Sequence, residues 1–188
     1  MITFKQFLAE EREIYAKKIP DAPGWSPARA EEDYKIGKIT FSATSGFGSV
    51  PNNANVHYMG FVGMMKPSTF MSLALDDQGA QEETSKDLEK FVEEGYAIGI
   101  PFLYIDIDEK GEKLPKITGH EGRGRMRMVR RVNGDDPIPV HFFLRGGMRS
   151  RHLTKDMVDE VKQGVYAEGS DRLVKNPITH VYVDGKEM

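Results

Sequence analysis

At 188 residues, 39% hydrophobic and 10% aromatic, the chain has the size and composition of one domain with a core of its own. The absence of cysteine excludes disulfides, thiolate zinc sites and cysteine nucleophiles. A net charge of −3 speaks against a general nucleic-acid coat but leaves room for a local basic patch that binds phosphates.

The start, Met1-Ile2-Thr3-Phe4-Lys5-Gln6, lacks the basic and apolar regions of a signal peptide, and no run reaches about 18 apolar residues. A soluble, cytoplasmic protein with no membrane partner is expected. Thr3 and Gln6 form a capping box before Phe4, Phe7, Leu8, Ile14 and Tyr15, which recur at helical spacing, so a helix is predicted from Phe4 to Lys17. The segment 21–55 is rich in Pro, Gly, Ser and Asn and reads as loop, with one strand candidate at Lys38 to Ala43. Its Thr44 to Ser49 stretch lacks the Lys-Ser/Thr ending of a P-loop.

A strand is predicted at Val56 to Met64, followed by a helix from Pro67 to Leu75 that Pro67 opens. Beyond an acidic linker, Thr84 or Ser85 caps a helix carrying Leu88, Phe91 and Val92 on one face, and Gly95 ends it. Ile100 to Ile107 reads as a buried strand. The carboxylates Asp106, Asp108 and Glu109 at its end are read as part of a polar turn around Gly111 in preference to a Mg²⁺ site. A short strand at Lys116 to Thr118 precedes a glycine turn. Met126, Val129 and Val132 then mark a helix ending at Asn133-Gly134, and Ile138 to Leu144 is the next strand. Thr154, stapled by Leu153 and Val158, caps a helix that stops near Gly164, and Ile178 to Val183 is a last strand.

The turn Gly119-His120-Glu121-Gly122-Arg123-Gly124-Arg125 is the most informative stretch. Glycines permit close backbone approach, the first amides of a following helix are unpartnered, and Arg123 and Arg125 supply forked donors. Six cations from Lys116 to Arg131 face the single carboxylate of Glu121. The stretch reads either as a phosphate site or as a glycine turn before a solvated basic helix face. Arg145, Arg149, Arg151 and Lys155 form a second basic cluster.

Glu121-Gly122-Arg123-Gly124-Arg125, lying between a short strand and a helix and followed by Ile138-Pro139-Val140, resembles the phosphate-binding motif of the ParB/sulfiredoxin superfamily. The likeness covers Leu88 to Leu144 and follows the family's order of elements. It implies an α+β fold, a ParB/sulfiredoxin-like core with a mixed sheet flanked by helices. Residues 1–55 would then be a helix and extended region packed on a core spanning 56–188. Position 124 is Gly where many members carry His or Arg, and the chain lacks the cysteine that sulfiredoxin chemistry needs. The segment after Leu144 has no room for the DNA-binding and dimerisation domains of a partition protein.

Two functions follow. In the first, the chain is a nucleotide- or phosphate-binding protein, a nucleotide hydrolase, phosphotransferase or nuclease, taking a nucleoside triphosphate with Mg²⁺. Gly119, Gly122 and Gly124 shape the loop, Arg123 and Arg125 hold phosphate oxygens, His120 donates to the reacting group, and Glu121 is base or Mg²⁺ ligand. The plainer alternatives are a His120 satisfied by backbone and a Glu121 stabilised by the helix dipole. In the second, it is a non-catalytic nucleic-acid- or protein-binding module, such as a phage accessory or counter-defence protein. Under the first reading, Arg125→Ala is expected to abolish binding with folding nearly intact. The other histidines, His57, His141, His152 and His180, have no metal-ligand spacing.

Overall fold

Along Ile138–Arg145, the residues Ile138, Val140, Phe142 and Leu144 alternate with Pro139, His141, Phe143 and Arg145, so a strand here must bury both faces. A computed structural model describes residues 34–42, 59–75, 88–90, 92–95, 98–108, 110–145, 153–183 and 186–187. The predicted helix at Phe4 to Lys17, the Thr44 to Ser49 loop, Arg149 and Arg151 lie outside them.

The chain is α+β. Its strands are β1 (Tyr34–Ile36), β2 (Ile39–Ser42), β3 (Met59–Met65), β4 (Ile98–Gly99), β5 (Phe102–Asp106), β6 (Lys116–Glu121), β7 (Ile138–Arg145), β8 (Gly164–Tyr166), β9 (Leu173–Lys175), β10 (Val181–Val183) and β11 (Lys186–Glu187). The helices α1 (Pro67–Leu73), α2 (Arg123–Asn133) and α3 (Lys155–Gln163) join them, and residues 88–90 and 92–93 are also helical. One mixed sheet has the order β11-β10-β3-β7-β5-β6-β8-β9, and a smaller one β1-β2-β4. Strands β5 and β7 are parallel neighbours, joined through β6 and α2.

Several boundaries differ from expectation. The strand expected over Ile100 to Ile107 is confined to Phe102–Asp106, which joins the large sheet, while β4, just before that run, pairs with β2 in the small one. Proline has no N–H for a ladder, but the Pro101 carbonyl accepts from His141 N–H at 2.9 Å. Strand β6 runs on past Thr118 to Glu121, so Gly119, His120 and Glu121 are strand residues. The last strand is confined to Val181–Val183, and β1, β8, β9 and β11, each of two or three residues, were too short to show a period.

Leu103 and Ile105 of β5, with Val140, Phe142 and Leu144, belong to the main core, which also takes in Met126, Met128 and Val129 of α2 and Phe70 of α1. Phe61 stacks on Phe142 with ring centroids 5.0 Å apart. Phe102, Tyr104 and Phe143 form a second cluster on the other face, where the Arg145 guanidinium lies 3.8 Å over the Tyr104 ring.

Helix α1 is held at both poles by charges from α2 and its flank. Lys66, its N-cap, makes no side-chain cap; instead Asp135 accepts from Ser68 N–H at 2.8 Å and from Ser68 Oγ at 2.6 Å. At the other end the Arg123 guanidinium donates to the carbonyls of Ala74 at 2.7 Å and Met71 at 3.3 Å. The helices therefore run antiparallel, with an anion at the N-terminus of α1 and a cation at its C-terminus, as its dipole favours.

Desolvation acts to raise the Asp135 carboxyl, but the Ser68 hydrogen bonds, with Arg130 and Lys66 near, hold it below the usual carboxylate range. A depressed carboxylate contributes its full stability above the unfolded value of about 3.9 and loses it as pH falls through the lower folded value. Asp135→Asn is expected to cost about 0.5–1 kcal/mol at neutral pH, limited by solvent screening. The variant and parent denaturation curves should converge in acid; a gap that stays constant with pH would remove the charge from this account.

Candidate functional site

Strict alternation would put Ile117 and His120, three positions apart, on opposite faces of β6. The pairing prevents this. Tyr104 faces Gly119 while Ile105 faces Ile117, so Thr118 is an extra residue, a bulge that resets the alternation. Ile117 and His120 both turn towards the helices: Ile117 enters the main core, and the His120 ring meets Phe70 edge-on at 6.3 Å between centroids.

The β8–β9 connection brings a carboxylate to that ring. Glu168 Oε2 lies 2.5 Å from His120 Nδ1 and accepts from Leu75 N–H at 2.9 Å, while Glu168 N–H donates to the Leu73 carbonyl at 2.8 Å. The side chains of His120 and Glu168 are 9% and 17% exposed. His120 Nε2 has no hydrogen-bond partner among the described residues. Leu75, at the rim, is half exposed.

Two residues beyond His120, Gly122 caps α2 in the left-handed region at φ 115°, with no side-chain cap. A Cβ there would stand 2.7 Å from Pro101 Cβ, so both the conformation and the contact require glycine. The first helical bond runs from Met126 N–H to the Gly122 carbonyl at 2.9 Å, so the amides of Gly124 and Arg125 precede the ladder.

The two arginines do more for the fold than the motif suggested. Arg123 is buried against the end of α1. Arg125 is buried too: Nη1 donates to the carbonyls of Gly99 at 2.8 Å and Ile100 at 3.3 Å, and Nη2 pairs with Glu121 Oε1. Burial pushes the Arg125 guanidinium below its ordinary value and the Glu121 carboxylate opposes this; an arginine so placed stays charged. The structure thus sets His120 on β6 two residues before the N-cap of α2, against Phe70 and Glu168, and ties Glu121 to Arg125. Gly119 sits under Tyr104, its Cβ position 3.2 Å from Tyr104 Cδ2, and Gly124 lies within α2.

Compared with family models, curated proteins and solved structures, the chain matches none. The site must be read from its own geometry. Sequence reasoning missed Glu168, 48 positions from His120, because a hairpin turn of the form Glu-Gly-Ser carries no signal of what it will touch.

The remaining candidates fall elsewhere. Asp108 Oδ2 accepts from Glu112 N–H at 2.9 Å and Lys110 N–H at 3.2 Å, closing the expected polar turn. The Glu112 amide bond, against slight desolvation and with help from Lys110 and Lys113, holds its carboxyl below the usual range. Among the described residues no three His, Asp or Glu side chains are grouped as a metal cage requires, and no helix is long and apolar enough to cross a membrane. His141 is buried beside Phe143, and His180 is exposed.

Proposed function

We propose that the chain binds a phosphate-bearing small molecule, a nucleotide in the first instance, where the end of α1, His120 and the start of α2 meet. The observation that carries this reading is a histidine anchored through Nδ1 by Glu168, with Nε2 uncommitted, two residues ahead of a helix N-terminus that no side chain caps. The phosphate ligands in this reading are the amides of Gly124 and Arg125, and His120 Nε2 faces the bound group as an acceptor. Arg123 and Arg125 hold the junction together from behind. Leu75 offers an apolar wall for the rest of the molecule. The likeness to the ParB/sulfiredoxin core is part of the same proposal. It draws support from the succession β5, β6, Gly122, α2 and a parallel β7 opening on Ile138-Pro139-Val140.

The alternative, a nucleic-acid- or protein-binding module, draws less from the geometry. Of the cations it would use, Arg123 and Arg125 are buried, Lys116 and Arg131 pair with Asp171 and Glu89, and Arg145 lies across the sheet from α2.

A thermal-shift screen of nucleoside tri- and diphosphates and short DNA, with Mg²⁺ present, decides between them. A nucleotide at about 100 times its Kd is expected to stabilise by about 2.7 kcal/mol, a shift of roughly 5–10 °C for a chain of this length. No shift with any phosphate compound would overturn the proposal. A shift confined to DNA and lost steeply with salt would favour the alternative.

A further inference from the structure

The contacts of Glu168 narrow the chemistry of the proposed site. An ionised carboxylate only accepts hydrogen bonds, so the Nδ1 facing Glu168 Oε2 carries the proton and the neutral ring presents Nε2 as an unprotonated acceptor. The carboxylate is itself fixed: the same Oε2 accepts from Leu75 N–H, and the Glu168 backbone is tied to Leu73. Phe70 holds the ring from the side. Such an arrangement prepares a base, with its orienting group locked before any substrate arrives.

We infer that His120 is the general base, and Glu168 its positioning residue, for hydrolysis of a phosphate ester or phosphoanhydride; the inference rests on the phosphate reading of this site. Nε2 takes a proton from a water molecule as the water oxygen bonds to phosphorus. The P–O bond to the leaving group, an ester bond in a phosphomonoester or the anhydride bond of a nucleoside triphosphate, breaks with its electron pair on the departing oxygen, which then receives the proton from Nε2–H. The products are the alcohol, or the shorter nucleotide, and inorganic phosphate. This assignment adds a base role to the donor role that the motif suggested for His120 and gives the base role to a residue other than Glu121.

The test has a spectroscopic arm and a kinetic arm. Long-range ¹H–¹⁵N spectra of the folded protein, recorded where the ring is neutral, should show His120 protonated on Nδ1. Glu168→Ala should move it to the Nε2–H form, and Glu168→Gln, whose carbonyl can still accept, should restore Nδ1–H. With ATP and p-nitrophenyl phosphate as probes, phosphate release should fall about 10²–10⁴-fold in kcat in His120→Ala, with less change in KM. Glu168→Ala should fall too, and Glu168→Gln should recover part of the loss. An Nε2–H tautomer in the parent protein overturns the inference. So does a thermal shift with ATP unaccompanied by phosphate release, which would leave the binding proposal standing; loss of both shift and release removes both proposals.

Discussion

Arg125→Ala is expected to destabilise the fold by about 2–4 kcal/mol, chiefly by leaving two buried carbonyls without a donor, and to lower the melting temperature by roughly 5–15 °C. Alanine would leave the carbonyls of Gly99 and Ile100 without their donor, and Glu121 without its counter-ion, a smaller loss because that side chain is 44% exposed. Those carbonyls lie where the chain leaves the small sheet for the large one, so the guanidinium pins the crossing at Pro101 as well as the start of α2. Arg125→Lys should recover only part of the loss, because an ammonium cannot reproduce the fork. Arg131→Ala is the control: its pair with Glu89 is 40% and 35% exposed, and such pairs contribute at most about 1 kcal/mol. Urea denaturation of the three variants measures the difference. This replaces the expectation, drawn from the motif, that the fold would tolerate Arg125→Ala; equal costs for Arg125→Ala and Arg131→Ala would restore it.

Gly122→Ala is expected to cost about 2–5 kcal/mol, combining the penalty of a left-handed backbone with that of overpacking. Its φ is 115°, and the added methyl would meet Pro101 Cβ at 2.7 Å and Cα at 3.1 Å. Neither contact atom belongs to a flexible side chain, so the start of α2 must shift, and the phosphate-induced thermal shift should shrink with it. Gly95 and Gly134 provide the comparison, since both have positive φ and nothing within 4 Å of a Cβ. Alanine at either should cost only about 1–2 kcal/mol and leave ligand binding unchanged. A Gly122→Ala protein as stable as Gly134→Ala would show that the approach to Pro101 is not constrained.

The sequence by itself determined the elements whose signals are carried by neighbouring residues. Helix α2 follows from Met126, Val129 and Val132 between two glycines. Helix α3 follows from Thr154, whose Oγ1 accepts from Met157 N–H at 3.4 Å, and β5 and β7 follow from their apolar runs. From these the α+β class was legible. Periodicity is local, so it survives without knowledge of the partner.

The partners of the charged groups were decided only by tertiary structure. Arg123 and Arg125, in the first turn of α2, oppose their own helix dipole, and the sequence offered an anion as the explanation. The structure supplies carbonyls instead, from α1 and from the β4–β5 crossing. Likewise nothing local marks Thr118 as the bulge that turns His120 to the helix face, or Glu168 as the carboxylate waiting there. Each depends on strand register and on chain segments tens of residues apart. The chain chooses among possible partners for a charge only when burial makes an unpaired group too costly to keep.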